Sequence, residues 1–163
     1  MAELALGLGS NLGNRLVNLR RAAQAIAREI GAIRQASDVF ETEPWGVTDQ
    51  PHFLNACLLL EHDGAEPESL LASLKAIERR MGRQETIRWG ARLIDIDILL
   101  IGGRVYESPI LRIPHPHLSE RAFVLTPLAQ LLPNWAHPLT GRTVAEMSRA
   151  VASEPSPLRI GPM

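Results

Sequence analysis

The chain has 163 residues, of which 45% are hydrophobic and 21% charged, and a formal net charge of −1. That size suits one compact domain folding without disulfides or structural metals, and the balanced charge excludes a broadly basic nucleic-acid binder. A lone cysteine, Cys57, excludes an intrachain disulfide, no apolar run reaches the roughly 18 residues of a membrane span, and no basic leader precedes the first apolar residues, so cytoplasmic residence is expected.

Residues 3–8 alternate leucines with small residues and run into Gly7, Leu8, Gly9, Ser10 and Asn11, which predicts a strand entering a tight turn. Leu16, Leu19, Ala23, Ile26 and Ile30 recur at helical steps before Gly31, predicting an amphipathic helix. Strands are expected over residues 33–40 and 53–61, joined by a polar, proline-containing loop at residues 41–51. Pro67 opens a second helix with the stripe Leu70, Leu74, Ile77 and Met81, closed by Gly82. A polar loop covers residues 83–92. Residues 93–101 read as a strand, Gly102 and Gly103 as a hairpin turn, and residues 104–106 as the start of its partner strand. Prolines 114 and 116 stiffen the connection into a helical stretch at residues 119–132, expected to bend or break at Pro127. Thr143 and Glu146 form a capping box for a last short helix, and residues 153–163 are expected to be a flexible tail after a single domain at residues 1–152. The order strand, helix, strand, strand, helix, strand predicts an α+β fold: a ferredoxin-like α/β sandwich with a mainly antiparallel sheet and additional C-terminal elements.

The strongest chemical signal is Asp95 and Asp97 within the apolar run Leu93 Ile94 Asp95 Ile96 Asp97 Ile98 Leu99 Leu100 Ile101. Residues two apart on a strand share a face, so the carboxylates point the same way with their Cα atoms about 6.6 Å apart, while Ile94, Ile96 and Ile98 point into the core. Leu99 and Ile101 are expected to continue the aspartate face. Two adjacent carboxylates repel each other unless a cation lies between them, and hard oxygen ligands at this spacing suit Mg²⁺ holding phosphates. Arg83, Arg88 and Arg92 lie 12, 7 and 3 residues upstream of Asp95, where guanidinium groups can neutralise a polyphosphate, and Arg112, His115 and Arg121 can add donors. His115 and His117 straddle a proline without clustered cysteines, so zinc is unsupported. Gly7, Gly9 and Gly13 miss the dinucleotide fingerprint by one residue, and no Walker motif is present.

These residues resemble the 6-hydroxymethyl-7,8-dihydropterin pyrophosphokinase family over about three quarters of the chain. The most specific segment is Arg88 Trp89 Gly90 Ala91 Arg92 Leu93 Ile94 Asp95 Ile96 Asp97 Ile98 Leu99. Glu41 to Pro44 as Glu-Thr-Glu-Pro, Gln50 with Pro51, Phe53 to Ala56 as Phe-Leu-Asn-Ala, Pro114 with His115, and Arg121 with Phe123 follow in family order. The resemblance implies transfer of pyrophosphate from ATP to the pterin hydroxymethyl group, with Asp95 and Asp97 binding two Mg²⁺ ions. It implies that Arg83, Arg92, Arg121 and His115 hold phosphates, that Lys75, Glu78, Arg88, Trp89 and Ile98 line the nucleotide site, and that Thr42, Pro44, Trp45, Phe53, Asn55, Trp89 and Phe123 form the pterin pocket. A flat, polar-edged ring needs aromatic faces and an amide such as Asn55 for its edge. Residues 84–87 look one residue shorter than in better-known members, and Arg112 stands where a small hydroxyl residue is expected.

On this reading Asp95, Asp97, Arg83 and Arg92 carry catalysis, with Asp97 a candidate proton acceptor, and ATP and a reduced pterin are the ligands. The chain is expected to act as a monomer with neither nucleic-acid nor membrane partners. A Mg²⁺-dependent nucleotidyl transferase or phosphodiesterase would also use paired aspartates on a sheet, and a ferredoxin-like RNA-binding module would need exposed aromatics where this sheet carries acids.

Overall fold

The computed structural model describes residues 2–43, 49–62, 66–82, 91–152 and 156–163. Strand β1 (Ala2–Ser10) leads into helix α1 (Arg15–Glu29), then β2 (Ile33–Ala36), β3 (Asp38–Thr42) and β4 (Phe53–His62). Helix α2 (Pro67–Arg80), β5 (Asp95–Ile101) and the short strands β6 (Tyr106–Glu107) and β7 (Arg112–Ile113) follow. A 3₁₀ turn at Leu118–Glu120, helices α3 (Ala122–Leu131) and α4 (Val144–Ala150), and strand β8 (Leu158–Pro162) complete the chain.

The main sheet has the order β5-β1-β4-β3-β8, with β2 also pairing β4 and every pair antiparallel. Its β5-β1-β4-β3 portion is the ferredoxin-like order expected from the alternation of elements. Period-two patterning separates two cores. Leu4, Leu6 and Leu8 of β1 face Leu19 and Ile26 of α1 and Leu70, Leu74 and Ile77 of α2. Ala5, Cys57 and Leu99 face Val124, Leu125 and Leu128 of α3 and Val144 and Met147 of α4. A fully buried leucine contributes about 1.5–3 kcal/mol, so the leucine ladder of β1 pins the register of the central strand. The additional C-terminal helices therefore cover a face of the sheet that would otherwise be open.

Local chemistry explains most boundaries. The Asn14 side chain caps α1 by accepting from the Val17 N–H at 3.2 Å, and Thr143 caps α4 by accepting from the Glu146 N–H at 3.1 Å. The strand expected at residues 33–40 is divided at Ser37, whose buried hydroxyl accepts the Cys57 N–H at 2.8 Å and replaces a ladder bond.

Several expectations are corrected. Pro127 does not break α3; the interruption falls at Arg121, which is extended (φ −113°, ψ 106°) between the 3₁₀ turn and the helix. Tyr106–Glu107 pairs with Arg112–Ile113 rather than with β5. On the outer edge of β5, Ile96 N–H is taken by Glu78 and Leu99 C=O by the His115 N–H. A register shift between Ala5 and Leu6 in the β1–β5 ladder moves Ile101 into the α1/α2 core, while Leu99 remains on the aspartate face. In the stretch read as a flexible tail, residues 158–162 form β8, held on β3 through the Arg159 to Asp38 contact of 2.7 Å.

Candidate active site

The site is built on one face of the sheet, across its central strand. Gly9 of β1 lies opposite Asn55 of β4 on one side and Asp95 of β5 on the other, and Gly7 likewise lies between Cys57 and Asp97. Alternation along each strand turns these residues away from the α1/α2 core, so amide, bare backbone and carboxylate form a row. The glycines keep the floor clear. A Cβ on Gly9 would lie 3.1 Å from Asn55 Oδ1 and 3.6 Å from the Phe53 ring, and one on Gly7 would lie 3.4 Å from Leu99.

The resulting cleft is lined by Thr42, Phe53 and Asn55 at one end and by Asp95, Asp97 and Arg92 at the other, with Arg121 and Phe123 above it. Asn55 Nδ2 donates to Thr42 Oγ1 at 2.7 Å, which fixes the amide orientation with Oδ1 over Gly9. The Arg121 guanidinium lies 5.5 Å from the Phe123 ring centroid, a cation–π arrangement that holds both at the rim. Cys57 is buried beneath the cleft, where its thiol contacts Val124 O at 3.8 Å and burial pushes its pKa up, leaving an inert thiol.

Asp97 is at the junction of this cleft with a second cavity, which is lined by Lys75, Ile98, Arg112 and His115 together with the apolar segment at residues 109–111. Burial, and then the neighbouring charge of Asp95, push the Asp97 carboxyl up to about 7, although Lys75 and Arg121 pull the other way. A carboxylate pair so disfavoured in its ionised form fits a bound cation. Among the described residues no three His, Cys, Asp or Glu side chains cluster, so the protein offers such a cation only hard oxygens. Carboxylate oxygens are a donor type suited to Mg²⁺.

His115 accepts the His117 backbone N–H on Nδ1 at 3.1 Å, which places its own proton on Nε2. Burial first, then the Arg121 charge, lower its pKa to about 4. It therefore presents a neutral Nε2–H donor, and the positive charge beside it belongs to Arg121. Arg112 is largely exposed and contacts Glu107 at 3.0 Å.

The structure thus brings Thr42, Phe53, Asn55, Arg92, Asp95, Asp97, Arg121 and Phe123 together in one cleft, and Lys75, Ile98, Arg112 and His115 in its neighbour. Glu78, expected to line the nucleotide site, is instead 1% exposed behind β5, with Oε2 accepting the Ile96 N–H at 2.7 Å and Oε1 3.3 Å from Lys75 Nζ. Its carboxylate supports the strand. Pro44, Trp45, Arg83, Arg88 and Trp89, and the shortened loop at residues 84–87, lie outside the described residues. Sequence reasoning missed Gly7 and Gly9 as the floor and Asn11 as a support. The available signal was that small residues alternate against Leu4, Leu6 and Leu8, marking a strand face stripped of side chains.

Residues 5–133 match the family model described as 7,8-dihydro-6-hydroxymethylpterin-pyrophosphokinase. The chain is 38% identical over 146 residues to the 2-amino-4-hydroxy-6-hydroxymethyldihydropteridine pyrophosphokinase of Aquifex aeolicus, covering 90% of each. It is 46% identical over 130 residues to the mitochondrial folate synthesis bifunctional protein of Arabidopsis thaliana, covering 80% of this chain but 23% of that protein. Among solved structures, the wild-type HPPK-DHPS of Plasmodium falciparum superposes with a TM-score of 0.74 at 15% identity, over 91% of this chain and 44% of that one, a likeness of fold. Family match, near full-length relative and fold agree, and the chain belongs to the 7,8-dihydro-6-hydroxymethylpterin-pyrophosphokinase family.

Proposed function

We propose a division of labour between cleft and cavity for the reaction that family membership assigns. The chain transfers pyrophosphate from ATP to the hydroxymethyl group of 6-hydroxymethyl-7,8-dihydropterin, a step of folate biosynthesis. The pterin lies in the cleft between the faces of Phe53 and Phe123, with its polar edge on Asn55. Thr42 holds the Asn55 amide in the orientation that this edge requires. The nucleotide occupies the second cavity, its base against residues 109–111 and its phosphates leading past His115 towards Asp97.

The hydroxymethyl oxygen attacks the β-phosphorus and releases its proton to water, the bond from that phosphorus to the oxygen bridging the α-phosphate breaks, and AMP departs with the bonding electrons. Asp95 and Asp97 would hold Mg²⁺, two ions on this reading, which would offset the charge that develops on the phosphates during transfer. Arg92 and Arg121 neutralise the remaining phosphate charge, and His115 donates from Nε2 without adding charge. The bare floor at Gly7 and Gly9 lets hydroxyl and phosphorus approach without a side chain between them, which is how positioning accelerates a bimolecular step. Action as a monomer and cytoplasmic residence belong to the same proposal; among the described residues no helix is long and apolar enough to cross a membrane.

The row Asn55, Gly9, Asp95 carries this reading, because it sets a ring-recognising amide and a metal-binding carboxylate on either side of bare backbone. The test is to incubate the protein with ATP, Mg²⁺ and the reduced pterin and to identify the nucleotide product. AMP formed only when the pterin is present is expected; ADP, or AMP formed without pterin, would refute the reading. In parallel, Asn55→Leu is expected to abolish pterin binding while sparing that of MgATP, since each unpaired buried polar group costs about 1–3 kcal/mol.

A further inference from the structure

Asn11 follows the last residue of β1 and is 1% exposed. Its backbone N–H donates to Arg92 O at 2.9 Å, and its Oδ1 accepts the Arg92 N–H at 2.7 Å, closing a ring between the two residues. Both hydrogens of Nδ2 are also engaged, one with Gln50 Oε1 and one with Pro51 O, each at 2.9 Å. A primary amide is suited to this position because it must donate twice and accept once. The two sets of bonds reach opposite halves of the site. Gln50 and Pro51 precede Phe53 and Asn55, and Arg15 steadies the same approach by donating to His52 O at 2.9 Å and to Glu41 at 2.7 Å. Arg92 lies three residues before Asp95 and lines the phosphate end of the cleft.

We infer that Asn11 is a positioning residue that couples the two substrates: it ties the backbone entering the pterin half to the backbone entering the phosphate half, so that a ligand ordering one half lowers the entropic cost of ordering the other. This rests on the division of the site proposed above. The physical basis is that two segments sharing one buried, fully bonded amide cannot fluctuate independently. Linkage makes the effect reciprocal, so nucleotide tightens pterin binding by the same factor as pterin tightens nucleotide binding.

The test is calorimetric titration of the intact protein with 6-hydroxymethylpterin, alone and with saturating Mg²⁺ and α,β-methylene ATP, whose carbon bridge blocks transfer. Asn11→Asp keeps the acceptor for Arg92 but loses both donors, and Gln50→Ala removes one partner from outside. The wild-type protein is expected to bind pterin more tightly with nucleotide, and Asn11→Asp to reduce that ratio at least about fivefold, the lower end of ordinary coupling. Gln50→Ala is expected to reduce it by a smaller factor. A purely structural amide would lower the melting temperature and leave the ratio intact. An unchanged ratio in both variants, or a wild-type ratio of one, overturns the inference. If circular dichroism shows Asn11→Asp unfolded, Gln50→Ala decides alone. Failure of the underlying reading has a different signature, a wild-type protein that binds neither ligand, and it removes the inference too.

Discussion

Glu78 Oε2 accepts a 2.7 Å hydrogen bond from the backbone N–H of Ile96, the residue that separates Asp95 from Asp97. The helix α2 thereby reaches through the core to satisfy the outer edge of the strand that carries both aspartates. Glu78→Ala deletes that acceptor in a dry environment and is expected to destabilise the fold by about 1–3 kcal/mol. Glu78→Gln retains an acceptor and is expected to recover most of the loss. Urea denaturation of the two variants checks this; equal losses would mean that the carboxylate charge, rather than the acceptor, matters.

Asp95→Asn and Asp97→Asn are expected to abolish turnover while the fold holds or gains stability, because each removes a proposed metal ligand and relieves the repulsion that, after burial, raises Asp97. Activity within about tenfold of the wild-type protein, a loss of only ~1.4 kcal/mol of transition-state stabilisation, would count against their role.

Gly9→Ala probes the floor. The new methyl would lie 3.1 Å from Asn55 Oδ1, so the amide must shift and its contact with the pterin edge weakens. Loss of one hydrogen bond of about 1–1.5 kcal/mol corresponds to roughly tenfold weaker pterin binding, with MgATP binding spared. Fluorescence titration with each ligand separately would reveal the difference.

His115 makes the protein acid-sensitive in a defined window. The imidazole titrates near 6.5 when unfolded and at about 4 when folded, so between these values the unfolded chain binds more protons. Stability is full above pH 6.5, declines as pH falls through the window, and the decline levels off below about 4. The total effect is on the order of 3 kcal/mol. In His115→Asn the amide oxygen replaces Nδ1 as acceptor of the His117 N–H without titrating, so the difference in stability between the two proteins should shrink towards pH 4. Parallel denaturation curves across pH would measure it.

Much of this was legible in local sequence. The isoleucines around Asp95 and Asp97 place both acids on one strand face, and the cap at Thr143, the stripe of α2 and the order of strands and helices all depend on neighbours within a few residues. What could not be read depends on distant partners. Residues 158–162 have tail-like composition, yet β3 supplies their ladder, and Asp38 joins Arg159 to Gln130 of α3. The bond from Ile96 to Glu78 was likewise illegible, because nothing near Glu78 in sequence reveals that a strand 18 residues away needs an acceptor. Pro127 was read as a helix breaker from its missing N–H, but it is buried within α3, where tertiary packing outweighs the lost bond. The bulge beside Ala5 and Leu6 likewise reverses the alternation after Leu99, which strict period-two counting cannot anticipate.

The glycines of β1 have a consequence for how such a site is mapped. At Asn55 or Asp97, truncation to alanine removes a working group and the deficit reports its role. At Gly7 and Gly9 the same replacement adds atoms, so a systematic alanine scan asks the opposite question there and registers obstruction. Part of this enzyme's chemistry resides in unfilled volume, and only substitutions graded by size, from alanine upward, can trace the outline of that emptiness.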